Sequence, residues 1–179
     1  MILFDNNWDT DKLEQEALLR QVQKIHLVAY ENRSNKGDEE GLAATNHWCL
    51  FLELSSIESI RLDMAPGYGS DGLRGKIEIS TKSYVCTNKS IRTLTFHPAL
   101  SVTPRNIVEL ITQKGRQKYQ FTPEWEGCRY WNLILFQDLE ADKYIQEGSA
   151  QMVALDLASY WAFPAGQENR NMGQGVFRN

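Results

Sequence analysis

Cysteine, proline and histidine are scarce in this sequence: three, five and three among 179 residues. The three cysteines stand at positions 49, 86 and 128. An odd number so widely spaced is no disulfide framework. No two have zinc-ligand spacing, so no metal site is expected. No cofactor motif is present either. Free thiols suit a reducing compartment, and the cytoplasm is the expected location. No apolar run approaches the ~18 residues of a membrane span. The opening MILFDNNWDTDKLEQE turns acidic after four residues and lacks a basic stretch followed by an apolar one, so it does not read as a signal peptide. Excess positive charge is missing as well. Nineteen Lys and Arg face 23 Asp and Glu, a net charge of −4. That balance argues against a nucleic-acid partner. The acids Asp38, Glu39 and Glu40 are consecutive and lack the ligand spacing of a calcium loop. GYGSDG at 67–72 is glycine-rich, but lacks the Lys-Ser/Thr ending of a phosphate loop and precedes a strand rather than a helix.

What the sequence has is a full apolar complement. Aliphatic, aromatic and sulfur residues make up 42%, with five Trp, seven Tyr and seven Phe, enough for a core without staples. The length suits a single domain over 1–179, with its core at about 22–163.

Strand patterns dominate the first half. After a short helix predicted over 9–20, residues 22–30 read as a strand and 32–44 as a polar loop. HWCLFLEL (47–54) and SIRLDM (59–64) predict a hairpin, 65–74 a loop, and KIEIS (76–80) and IRTLTFH (91–97) alternate as half-exposed strands. Helical patterns follow. Thr103 and Pro104 predict a capped helix ended by Gly115, a second begins near Gly127–Cys128, and a third runs from about Ser149 to Trp161. This segregation predicts an α+β fold, an antiparallel sheet with helices packed on one face.

The chemistry centres on Cys128. A thiol in the first turn of a helix meets unpaired N–H groups and the positive end of the dipole, both of which favour thiolate. Gly127 permits a tight approach. A catalytic cysteine needs a base from elsewhere in the fold, and His is the usual one. His47 opens a strand at the sheet rim, whereas His26 and His97 look structural. If the hairpin has its midpoint near residue 55, Asp63 falls opposite His47 and could orient the imidazole. The bland alternatives stand beside this: Cys128 as a packed core thiol, and Asp63 paired with Arg61 or Arg74 or capping the Pro66–Gly67 turn. Asn46, Trp48, Arg129 and Trp131 flank the candidate residues and are assigned to substrate binding, with Arg129 either on a substrate carboxylate or in a salt bridge. Trp125 and Tyr130 are further candidates for a pocket wall.

The runs NHW (46–48), RLDM (61–64) and GCRYW (127–131), with the tail NMGQGVFRN, resemble an uncharacterised fungal family carrying a domain of unknown function. The resemblance spans about 22–145 and implies no activity. More distantly, a His on a strand, a polar residue on the next and a helix opening with Cys resemble the circularly permuted papain-like class of NlpC/P60 proteins, which includes lecithin–retinol acyltransferase-like and PPPDE-type peptidases. That resemblance implies His47 as base, Asp63 as orienter and Cys128 as nucleophile. The sequence departs from it in having Gly127 where the class has Asn. The expected function is cysteine-dependent acyl transfer or hydrolysis on a small-molecule or peptide substrate. The alternatives are a non-catalytic binding module with an aromatic pocket, and a homo-oligomer that uses exposed aromatics as its interface.

Overall fold

A computed structural model describes residues 4–33, 37 and 43–179. Most of the loop expected at 32–44, including Asp38, Glu39 and Glu40, lies outside the described residues.

The first half is strand-rich. β1 is Trp8–Lys12, β2 Lys24–Glu31, β3 Asn46–Ser55, β4 Glu58–Tyr68, β5 Arg74–Lys82 and β6 Arg92–Phe96. Then come α1 (Pro104–Gln113), β7 (Tyr119–Gln120), α2 (Cys128–Ala141), α3 (Ser149–Leu157), β8 (Ser159–Trp161), β9 (Gln167–Asn169) and β10 (Val176–Phe177). Among the described residues the main sheet has eight strands, with β10-β7-β5-β4-β3-β2-β6 in sequence across it and β1 beside β5. All pairings are antiparallel except β1 with β5. β8 and β9 form a separate pair. The fold is α+β, as the sequence predicts.

Alternation along the strands decides what each face carries. Trp48, Leu50 and Leu52 of β3, Ile60, Leu62 and Met64 of β4, and Ile77 and Ile79 of β5 join the main core. There they pack with Leu135, Phe136 and Leu139 of α2. Each such side chain contributes about 2 kcal/mol by leaving water. The residues between them point to the other face, where Val28, Cys49 and Phe51 form a second, smaller cluster with Tyr30 and Cys86. The segment after β5 lies over that face: Ser59 donates to the Tyr84 carbonyl at 2.7 Å, and Phe51 meets the Tyr84 ring at 6.2 Å.

The helix predicted over 9–20 is not formed. Trp8 and Asp9 pair in parallel with Ile77 and Glu78, so the sheet edge captures this segment. Only a 3-10 helix remains, Gln15–Leu19, which buries Ala17 and Leu18. α1 starts as its sequence predicts. Thr103 and Asn106 make a reciprocal capping box with Pro104 in the first turn. α3 stops at Leu157 rather than at Trp161, because Asn46 holds the Trp161 backbone in extended form. Trp161 N–H donates to Asn46 Oδ1 at 2.7 Å and its carbonyl accepts from Nδ2 at 2.9 Å.

Candidate active site

Cys128 is the first residue of α2, and its position is set by what precedes it. Gly127 has φ 154°, in the region that favours glycine. A Cβ there would stand 2.9 Å from the ring and the hydroxyl of Tyr119. Tyr119 in turn donates from its hydroxyl to the Gly127 carbonyl at 3.1 Å. This is the physical reason for glycine at 127. The first intrahelical bond of α2 runs from Trp131 N–H to the Gly127 carbonyl. The N–H groups of Cys128, Arg129 and Tyr130 thus form the part of the helix start that has no intrahelical acceptor.

Asn132, one turn into α2, ties this start to β3. Its Nδ2 donates to the carbonyls of Cys128 at 2.8 Å and Trp48 at 3.1 Å. The Cys128 sulfur lies 3.9 Å from the Asn46 carbonyl oxygen. So the thiol sits at the start of β3, beside Asn46, the residue before His47.

His47 and Asp63 occupy the same face of the sheet. The β3–β4 ladder pairs Leu50 with Leu62 and Glu53 with Ser59, which centres the hairpin at residue 56 rather than 55. Extended, that register sets Asp63 against Cys49, two residues from His47. A shift of two keeps both side chains on one face, whereas a shift of one would have parted them. His47 Nε2–H donates to Asp63 Oδ1 at 2.6 Å. Nδ1 is then the ring nitrogen not bound to Asp63. The other Asp63 oxygen takes the Arg61 guanidinium. Two of the three partners weighed for Asp63, His47 and Arg61, are therefore present, one on each oxygen, while Arg74 donates instead to Asn6 and Asn7. Arg61 also donates to the Tyr30 hydroxyl at 2.7 Å, and the Tyr30 ring stands edge-on to His47 at 5.1 Å.

The electrostatics follow from these contacts. Burial opposes the charged imidazole, but Asp63 and, less strongly, the Cys128 thiol outweigh it and hold the His47 pKa well above its ordinary value. Burial likewise opposes the Asp63 carboxylate, and His47, Arg61 and Tyr30 overcome it, so its pKa is lowered. Cys49, on the same face, has its pKa pushed up to about 11 by burial and by Asp63. It is held as a thiol. His26 sits in a separate network, between Thr95 Oγ1 at 2.9 Å and Glu53 Oε2 at 2.7 Å.

A cavity of about 1090 Å³ opens on this site, and Asn46, His47 and Cys128 line it with Arg61, Phe121 and Trp125. Trp48 and Trp131 are not in its wall; both are sealed in the main core. Trp131 spends its indole N–H on the Arg116 carbonyl at 2.8 Å. Arg129 is buried as well. Its guanidinium binds the carbonyls of Leu157, Arg170 and Asn171 and the carboxylate of Glu126. It anchors the C-terminal segment, and no donor is shown turned to the cavity. Asn46 lines the cavity while its side chain holds Trp161. Tyr130 packs against Phe177 at 6.3 Å, so of the aromatic candidates Trp125 alone reaches the wall.

Sequence reasoning missed Tyr30, Tyr119 and Asn132 as parts of the site, and named Arg61 only as an alternative partner of Asp63. Asn132 carried a signal, an amide four residues after Cys128 on a helix otherwise apolar on that side. Among the described residues, no group of three or more His, Cys, Asp or Glu could hold a metal ion. Among them too, no helix is long and apolar enough to cross a membrane.

The sequence model of one family, described as Domain of unknown function (DUF7770), matches residues 25–178. No curated protein and no solved structure matches the chain.

Proposed function

We propose a function for a chain that belongs to the DUF7770 family, a domain described only as of unknown function: cysteine-dependent acyl transfer or hydrolysis at Cys128. One observation carries the reading. An imidazole oriented by a carboxylate at 2.6 Å and a thiol at a helix start line one cavity, large enough for a substrate. The chain order supports it, since His47 on a strand, Asp63 on the next and Cys128 opening a helix is the order of the permuted papain-like class.

His47, beside Asp63, holds the thiol proton as imidazolium at rest, and the Cys128 sulfur attacks the carbonyl carbon of an ester, thioester or amide. The new C–S bond forms as the carbonyl pair moves to oxygen, where the free N–H groups of the α2 start are the donors at hand. The pair returns, the bond to the leaving group breaks, and His47 gives that group its proton. Water, or an acceptor alcohol or amine, then attacks the thioester. His47 takes the incoming proton and keeps it as the sulfur leaves the acyl group, which restores the resting pair. Asp63 holds the ring and stabilises its charged form throughout.

Iodoacetamide mapping at pH 7 is the first test. Cys86 is more exposed than Cys128, yet burial and Glu53 push its pKa up to about 11. Selective labelling of Cys128 over Cys86 and Cys49, reduced by His47→Ala, is the expected result. Hydrolysis of activated esters should fall by about 100-fold or more in both Cys128→Ala and His47→Ala, the scale of a lost nucleophile or base. An unlabelled Cys128 and unchanged hydrolysis would leave a binding module instead.

A further inference from the structure

Nineteen aromatic side chains are present, and among the described residues just three of them are exposed: Tyr84 at 41%, Trp125 at 47% and Phe163 at 81%. They come from three separate segments, the stretch after β5, the turn before α2 and the β8–β9 connection. All three line the cavity that holds Cys128 and His47. Chance scatter of surface apolar groups does not gather every exposed ring into one cleft, and such a concentration marks a place where a ligand covers them.

Trp125 is the most constrained of the three. Its φ is 61°, a conformation rare for a bulky residue. The turn that imposes it is closed by Trp125 N–H on the Thr122 carbonyl and Thr122 N–H on the Glu126 carbonyl, both 2.9 Å. The indole edge rests on Gly72, where a Cβ would stand 3.1 Å from Cη2 and Cζ2. Backbone strain and a missing side chain opposite thus hold the ring three residues before Cys128, half in the open. Strain of this kind is kept where function uses it.

Resting on the acyl-transfer reading, we infer that Trp125 is the specificity-determining residue of the site and that the substrate's acyl group is a planar aromatic one. An aromatic ring gains from offset or edge contacts with Trp125, Tyr84 and Phe163 that an acetyl group is too small to make. The volume, just above the usual range of small-molecule sites, leaves room for an aromatic acyl compound with a polar remainder.

The test compares benzoyl, octanoyl and acetyl esters of one leaving group on the wild type, Trp125→Ala and Trp125→Phe. Binding of N-methylbenzamide to Cys128→Ala is measured by calorimetry, with and without Trp125→Ala. The expected result is a benzoyl preference in kcat/KM that falls at least tenfold in Trp125→Ala, chiefly through KM, and is retained in Trp125→Phe. Amide binding to Cys128→Ala should weaken at least tenfold when Trp125 is removed. A preference for octanoyl, or a benzoyl-to-acetyl ratio that Trp125→Ala leaves within twofold, overturns the inference. Should no ester be turned over while the benzamide binds through Trp125, the aromatic site stands and the catalytic reading falls. Absence of Trp125-dependent binding overturns the aromatic site whatever the turnover.

Discussion

At the scale of the residue, His47 and Asp63 titrate against each other and the signs set a pH window. The His47 pKa is raised, so its share of stability is complete below the unfolded value of about 6.5 and is lost as pH climbs through the folded one. The Asp63 pKa is lowered, so its share is complete above about 3.9 and is lost as pH falls through the folded value. Asp63→Asn should therefore cost most between about pH 4 and 6.5, by about 3 kcal/mol for a broken buried pair, with the gap narrowing on either side. Denaturant midpoints across pH would measure it. In the same variant the imidazole keeps its burial and loses the carboxylate that outweighed it. Its NMR titration should drop to 6.5 or below, and the alkaline limb of any activity should move down with it. An unmoved titration would mean that Asp63 serves Arg61 alone.

At the scale of the element, the turn before α2 explains why glycine and not asparagine precedes Cys128. Asparagine at 127 would need φ near 154° and would drive its Cβ into Tyr119, whose ring is buried and whose hydroxyl is bound on both sides. Gly127→Asn should cost about 3 kcal/mol or more, roughly 10 °C in Tm, measurable by calorimetry. The identity of α2 was legible, since Gly127, Cys128 and the apolar set after it mark a helix start. The strands of the hairpin were legible as apolar runs either side of a short polar stretch, and parity alone put His47 and Asp63 on one face even though their register was off by two. β1 was not legible. Trp8 and Asp9 have no strand pattern of their own, and the edge of β5 supplies the reason they are extended. Arg129 and Trp131 were misplaced for a related cause: adjacency to Cys128 along a helix says nothing about direction. Successive residues point about 100° apart, and these two turn inward, to the C-terminal carbonyls and the core.

At the scale of the whole molecule, the site depends on the far end of the chain. β10 pairs with β7 at the sheet edge, with Phe177 opposite Tyr119 in register and against its ring at 4.9 Å. Gly175 N–H donates to the Tyr119 hydroxyl at 2.9 Å and Gly173 N–H to Glu126 at 3.2 Å. Arg129 draws in the carbonyls of Arg170 and Asn171. These partners sit on Tyr119, Glu126 and Arg129, the residues that surround Gly127 and Cys128. No local pattern in NMGQGVFRN announces this, because a segment without its own periodicity is placed by what it meets. Ending the chain at Asn169 would strip a buried guanidinium of two acceptors, a cost of about 1–3 kcal/mol for each group left unpaired. It would also uncover Tyr119. The expected outcome is a Tm lower by about 5 °C or more, and a Cys128 labelling rate that no longer exceeds that of Cys86. Adding the peptide of residues 170–179 back in trans should restore part of the selectivity. If the shortened chain stays folded and labels Cys128 as the intact one does, the thiol is positioned by α2 and β3 alone, through Asn132.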